Sequence, residues 1–304
     1  MSERLPLTID GFQAGFISTQ HASDGEILIS YQMGGSGPPL LLLHGFPQTK
    51  MIWHRVAPAL AKHFTVIASD LRGYGASSKP QGLADHSTYS KRAMASDQAQ
   101  LMNALGFSHY GVLGHDRGGR VAHRLALDYG KQVNKLMVLD ISPTLAMYEQ
   151  TTMQFASSYW HWFFLIQKAP IPETMIGANT EFFMKQFMGG RHAGLSIFAP
   201  ECWQEYVLAM SDPACLHAMC EDYRAAASID LEHDRQTIAK KQLLEMPVRV
   251  LWGEFGQVHA CFKPLEDWQK LGTDVSGQTL QSGHYIPEEI PKGLIAEALS
   301  FFRD

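Results

Sequence analysis

The sequence has few cysteines. Only four of 304 residues are cysteine (Cys202, Cys215, Cys220, Cys261), with no C-x-x-C pair and no metal-ligand spacing. That argues against a disulfide framework and a cysteine-held metal, and fits free thiols in a reducing compartment. Long apolar runs are also missing; nothing approaches the ~20 residues that cross a bilayer. The opening stretch MSERLPLTIDGF lacks a basic start followed by an apolar core, so no signal peptide is expected. Charge of one sign is scarce. Lys and Arg total 25 against 30 Asp and Glu, a net charge of −5. This disfavours a nucleic-acid partner but leaves room for a local basic pocket. Internal repeats and low-complexity segments are absent too. These absences predict a soluble, cytoplasmic protein with neither membrane nor nucleic acid among its partners. What is present is an ordinary globular balance, 45% hydrophobic and 18% charged. It suits one large α/β domain carrying an insertion.

Strands and helices alternate along the first half. Short apolar segments over 12–33, with the turn pair Asp24-Gly25, predict an antiparallel edge hairpin. Leu40 to Leu43 reads as a fully buried strand ending in His44-Gly45-Phe46-Pro47. A helix with Trp53, Val56 and Leu60 is expected next, then a strand over 64–68, a helix over 89–106 and strands over 109–114 and 135–139. Polar residues cluster after the strands, as in a mostly parallel, doubly wound sheet whose ligands sit at the strands' carboxyl ends. From about 142 to 245 no buried strand is apparent, and text rich in aromatics and methionine predicts an inserted helical cap. Alternation resumes at Pro247 to Gly253, and Thr279 to His284 reads as a last loop before a closing helix over 291–303. The expected division is therefore a core of 1–141 and 246–304 with a cap of 142–245.

The most informative stretch is Tyr110 to Arg120, YGVLGHDRGGR. An apolar strand meets a helix through G-H-D-R-G, the G-x-S-x-G shape of a nucleophile elbow with Asp116 in place of serine. The tight turn needs glycine neighbours and lifts Asp116 to a helix start, where the helix dipole favours its ionised form. A carboxylate nucleophile is ill suited to acyl transfer, which would give an anhydride. It suits displacement at a saturated carbon, which gives an alkyl ester.

Release of that ester needs a base and a group to orient it. His284 follows Ser-Gly near the C-terminus, in the chain order Asp, Asp, His of α/β-hydrolase triads. The plainer reading is one surface histidine among 14. Two acids are candidates for its partner. Asp140 abuts an apolar strand, a costly placement for an unused charge, whereas Glu254 reads more simply as a solvated loop acid. Asp140 is preferred. Arg117 and Arg120 share a helix face beside Asp116 and predict capture of a substrate carboxylate. Arg124, one turn deeper, reads as a structural ion-pair residue. In the cap, Trp160-His161-Trp162 and Tyr223 offer N–H and O–H donors for a leaving group. Core packing competes as an explanation for each, and is preferred for Trp160, Phe163 and Phe164.

LLLLHGFPQT, DLRGYGASSKP, GHDRGGR, VLDISPT, YWHWFF, CEDYRA and SGH, in this order, resemble the haloacetate (fluoroacetate) dehalogenases of the α/β-hydrolase superfamily. The likeness runs from about residue 24 to the final helix. HGFP and RGYG are widespread in the superfamily; DRxxR with HW in the cap and DYR later is far more specific. The resemblance implies an α/β-hydrolase fold with a helical cap and hydrolysis of 2-haloacids. It implies that Asp116 is the nucleophile, His284 the base and Asp140 its acidic partner. Arg117 and Arg120 would hold the carboxylate, and His161, Trp162 and Tyr223 the departing halide. Phe46 matches a residue of the oxyanion-side loop and becomes a candidate pocket wall. No cofactor and no metal are implied, and a homodimer is. Arg191 to Gly194 and the loop 254–262 depart from the family pattern.

Two other readings compete. Epoxide hydrolases and haloalkane dehalogenases share the aspartate nucleophile but usually carry Trp directly after it. Here that position is Arg117, which favours an anionic substrate. A binding protein that keeps the fold without catalysis has no reason to retain Asp116, Asp140 and His284 together.

Overall fold

The computed structural model describes residues 7–303. The first six residues of the opening stretch, and both outer ends of the expected core, lie outside the described residues.

The centre is an eight-stranded sheet in the order β1-β2-β4-β3-β5-β6-β7-β8. Its strands are β1 Gln13–His21, β2 Gly25–Gly35, β3 Pro39–Leu43, β4 Thr65–Ser69, β5 Tyr110–His115, β6 Val133–Leu139, β7 Val248–Gly253 and β8 Val275–Leu280. β1 and β2 form the expected antiparallel hairpin, and β2 also runs antiparallel to β4. From β4 onward every pairing is parallel. The central strands are apolar because helices cover both faces. Leu40 to Leu43 are fully buried, and burial of each contributes ~1.5–3 kcal/mol.

The core helices are α1 Ala57–Leu60, α2 Lys91–Ala104, α3 Arg117–Asp128, α12 Gln257–Cys261, α13 Pro264–Gln269, α14 Ile286–Glu289 and α15 Pro291–Phe302. Between β6 and β7 lie α4 Thr144–Glu149, α5 Met153–Ser158, α6 Trp160–Leu165, α7 Ile171–Gly177, α8 Thr180–Gly189, α9 Pro200–Ser211, α10 Pro213–Ala226 and α11 Ile229–Ala239. This is an α/β-hydrolase fold with a mostly parallel sheet and an inserted helical cap. Among the described residues, no helix is long and apolar enough to cross a membrane.

Two local expectations change. The helix through Trp53 and Leu60 is broken into a 3-10 turn over Lys50–Trp53 and the short α1. Pro58 is tolerated only in the first turn of a helix, so no continuous helix can pass through it. The segment ahead of His284 contains a strand, β8, rather than a loop alone. As an edge strand with alternating polar residues, VSGQTL carries no continuous apolar run.

Candidate active site

Asp116 stands between β5 and α3 with φ 49° and ψ −115°, a strained backbone for a residue with a side chain. The turn is tight enough that a Cβ on Gly118 would lie 2.3 Å from the His44 carbonyl oxygen. A Cβ on Gly45 would strike Asp116 itself, 2.5 Å from its Cβ. That missing side chain lets the Phe46 backbone N–H donate to Asp116 Oδ1 at 2.9 Å. Asp116 is buried. Burial alone would raise its pKa, but His284, His115, Arg117 and Arg120 outweigh it and hold the carboxyl well below the usual range. The group is therefore an ionised carboxylate in a water-poor setting.

The loop after β8 brings His284 over this carboxylate. Its Nδ1 donates to Asp140 Oδ2 at 2.5 Å, and Asp140 Oδ1 accepts the Gly253 N–H at 3.0 Å. Asp140 ends β6 with φ 53°. With Nδ1 committed to a carboxylate, Nε2 is the ring nitrogen that faces Asp116. Nε2 lies 4.0 Å from Asp116 Oδ2, beyond hydrogen-bond reach. Glu254 instead meets Gln281 on the surface. The expected trio of Asp116, Asp140 and His284 is thus assembled.

Arg117 and Arg120 project from the first turn of α3, both buried. Arg117 donates from Nε and Nη2 to Asp222 Oδ2 and Oδ1 at 3.1 and 2.6 Å, and from Nη2 to the Asp222 carbonyl at 2.7 Å. Its Nη1 is buried with no hydrogen-bond partner. Arg120 Nη1 donates to Thr144 Oγ1 at 2.9 Å and the Ser142 carbonyl at 3.2 Å, while its Nε has no partner. Burial and the Arg117 charge lower the Arg120 pKa. A buried cation with an unused N–H is costly unless something accepts from it. Arg124 pairs with Asp234 at 2.7 Å, a structural role.

The cap supplies the lid. Tyr223 lies with its ring centre 4.2 Å from Arg117 Cζ, and Trp162 with its ring 4.7 Å from Arg120 Cζ. His161 Nδ1 and Trp162 Nε1 are both buried without a partner. Burial, reinforced by Arg191, pushes the His161 pKa well below its ordinary value, so the ring is neutral. Phe46, the candidate pocket wall, packs on Tyr223, Phe187 and His161. Trp160 differs from the core role expected of it. It is 44% exposed and lines an outer cavity; Phe163 and Phe164 are half-buried.

Several contributors are not evident in the sequence. Asp222 holds Arg117, and is itself held by Lys91 and by the Tyr74 hydroxyl at 2.7 Å. His115 Nε2–H donates to the His284 carbonyl at 2.8 Å. Burial, then His284, lowers the His115 pKa to about 4, so this ring is neutral. Glu289 accepts the N–H groups on both sides of His284, from Gly283 at 2.6 Å and Tyr285 at 2.9 Å. The only sequence hints were the CEDYRA run around Asp222 and the GHD run around His115. Among the described residues, no three His, Cys, Asp or Glu side chains gather as a metal ion would require.

The fold and this site define a hydrolase: the family model of the alpha/beta hydrolase fold matches residues 38–285, and the chain belongs to that family. Within it, the chain is related to both dehalogenases and epoxide hydrolases. It is 46% identical over 268 residues to a fluoroacetate dehalogenase of Burkholderia sp, covering 88% of each chain. It is 35% identical over 280 residues to a soluble epoxide hydrolase of Corynebacterium sp. (strain C12), covering 90% of this chain and 92% of that one. The crystal structure of ALR0039 from Nostoc sp PCC 7120 superposes with a TM-score of 0.92 at 47% identity, covering 97% of this chain and 99% of the other.

Proposed function

We propose that the protein hydrolyses the carbon–halogen bond of short 2-haloacids, converting fluoroacetate or chloroacetate to glycolate and halide. The observation that carries this reading is the pair of unpartnered buried N–H groups, Arg117 Nη1 and Arg120 Nε, beside an ionised Asp116. They fit the two oxygens of a substrate carboxylate. The similarity to a fluoroacetate dehalogenase supports it.

With the carboxylate so held, Asp116 Oδ2 attacks the α-carbon, the carbon–halogen bond breaks, and an ester forms on Asp116. The halide leaves toward His161, Trp162 and Tyr223. Attack from the opposite side inverts a substituted α-carbon. His284 Nε2 then takes a proton from water, and the hydroxide adds to the ester carbonyl. The Phe46 N–H, already on Asp116 Oδ1, stabilises the oxyanion. Collapse expels glycolate, which takes the proton from His284. The freed Asp116 carboxyl ionises and releases a second proton to solvent. Water is the only co-reactant. A cytoplasmic homodimer completes the proposal; light scattering tests the dimer.

Halide release from fluoroacetate and chloroacetate, compared between wild type and Asp116→Asn, tests the reading. Release abolished by the substitution supports it. Chloride without fluoride keeps the mechanism and restricts the leaving group. Release of neither by the wild type overturns it.

A second reading, epoxide opening, draws on the Corynebacterium relative and on the Tyr159 hydroxyl, buried without a partner beside His284. Asp116 would attack an epoxide carbon while a cap hydroxyl protonates the ring oxygen. Turnover of a neutral epoxide, retained on Arg117→Trp, would favour it over the haloacid.

A further inference from the structure

Beside His284 lies a cavity of about 310 Å3, whose lining includes Trp160, Phe187, Arg191, His192, Phe255 and His284. It begins at the proposed base and ends at a rim where His192 stacks on Phe255 at 4.5 Å. Arg191 lies between the two. Its Cζ is 4.8 Å from the centre of Tyr159, 5.0 Å from Phe187 and 5.9 Å from Tyr285. Tyr159 and Tyr285 both pack on His284, and Phe187 and Tyr159 both pack on His161. These rings therefore border both the guanidinium and the base or His161, and one cavity is lined by Arg191 and His284 together.

The charge on Arg191 is uncompensated. The buried guanidinium groups of Arg72, Arg117, Arg124 and Arg224 each face a carboxylate within 3 Å. Among the described residues, no Asp or Glu forms an ion pair with Arg191. The groups that favour its charge are Tyr159 and Tyr285 first, and then Asp116. The guanidinium sits on aromatic faces beside the Tyr159 and Tyr285 hydroxyls, and it lines the cavity, where a planar anion can meet it.

We propose that Arg191 forms a second anion site, which takes the far carboxylate of a 2-halo dicarboxylic acid such as 2-chlorosuccinate. The α-carboxylate occupies Arg117 and Arg120, the α-carbon lies over Asp116, and the substituent extends past His284 to Arg191. Asp116 forms the carbon–oxygen bond as chloride departs. Water supplies the hydroxyl of the product 2-hydroxysuccinate, and a proton is released. This substrate class rests on the proposed dehalogenation; the anion site itself does not.

The test compares chloroacetate, 2-chlorobutyrate and 2-chlorosuccinate in chloride-release assays with wild type, Arg191→Gln and Arg191→Lys. Wild type should prefer 2-chlorosuccinate over 2-chlorobutyrate, its neutral-tailed counterpart. Arg191→Gln should abolish that preference, raising KM for 2-chlorosuccinate about thirtyfold, or ~2 kcal/mol. Chloroacetate should change by less than about threefold, and Arg191→Lys should restore part of the preference. No wild-type preference, or equal losses on all three acids, overturns the proposal and leaves Arg191 as a packing or steering cation. Calorimetry of succinate against butyrate, with the same proteins, needs no turnover. If no acid is dehalogenated, the catalytic reading falls, and the anion site stands only if succinate binds more tightly than butyrate and Arg191→Gln removes the difference.

Discussion

Asp222 grips two of the three guanidinium nitrogens of Arg117, Oδ1 lying 2.6 Å from Nη2 and Oδ2 3.1 Å from Nε. The remaining nitrogen, Nη1, is thereby aimed rather than free to turn. Lys91 and the Tyr74 hydroxyl hold the same carboxylate from the core side. Burial alone would raise the Asp222 pKa; Arg117 and Lys91 overcome it and keep the group ionised. Asp222→Asn leaves two buried cations without their shared anion. A stability loss of ~3–5 kcal/mol is expected. KM for chloroacetate should rise about tenfold or more. Denaturant unfolding and steady-state kinetics measure these, and an unchanged unfolding midpoint would refute the account.

Removing the base should separate the two chemical steps. In His284→Ala, Asp116 keeps its Phe46 contact and both arginines, so alkylation proceeds while ester hydrolysis stops. One halide per active site should be released in a burst, and intact-protein mass spectrometry should find the ester on Asp116. Asp140→Asn removes the acceptor that fixes the ring's tautomer, and a fall in turnover of roughly 10³–10⁴-fold is expected. An intact turnover rate in either variant would show that another group activates water.

The halide donors predict a difference between leaving groups. Fluoride leaves reluctantly but accepts strong hydrogen bonds, and preorganised donors can each contribute ~3 kcal/mol to such a step. His161→Asn, Trp162→Phe and Tyr223→Phe should therefore slow defluorination more than dechlorination. Measured with fluoride- and chloride-selective electrodes on the same preparations, equal losses for both halides would sink the idea.

Glu288 predicts a pH effect on stability. It is buried in α14, where Tyr206 donates to Oε1 at 2.8 Å, Gln48 lies 3.4 Å away, and Oε2 accepts no hydrogen bond but faces His54 Nδ1 at 3.8 Å. Burial, against the smaller opposing effects of Tyr206 and Arg55, raises its pKa to about 8. The folded chain then keeps a proton that the unfolded chain loses near pH ~4.3. Stability therefore falls as pH rises from about 4.3 to 8, and the loss is complete above that range. Glu288→Gln, which cannot ionise, should flatten this slope and melt higher than wild type at pH 9. The expected gain is about 2–4 °C for each kcal/mol recovered. Parallel Tm–pH curves for the two proteins would refute it.

How much was legible in the sequence follows from what makes a signal local. Leu40 to Leu43 and the GHDRGG turn encode their structure in a few consecutive residues, so the sheet centre and the elbow could be read directly. Asp140 was legible because an acid at the end of an apolar strand is conspicuous. Asp222 was not, since its partners Arg117, Lys91 and Tyr74 come from three other segments and meet it only after the cap has folded down. Glu289 was hidden for the opposite reason. It acts on backbone N–H groups, which every residue carries, so no side-chain pattern announces it. β8 went unread because an edge strand needs no continuous apolar run, and α1 because a proline sits inside an otherwise helical spacing.

The ion network around Asp222 also fixes one edge of the cap. It joins α10 of the cap to the core through two cations in a dry interior, and peeling that side open would strand all three charges. At the cavity beside His284, Phe255 is half in water and stacks on His192 of the cap. The cap is thus riveted to the core by buried charge at α10 and meets it by ring stacking at the cavity rim.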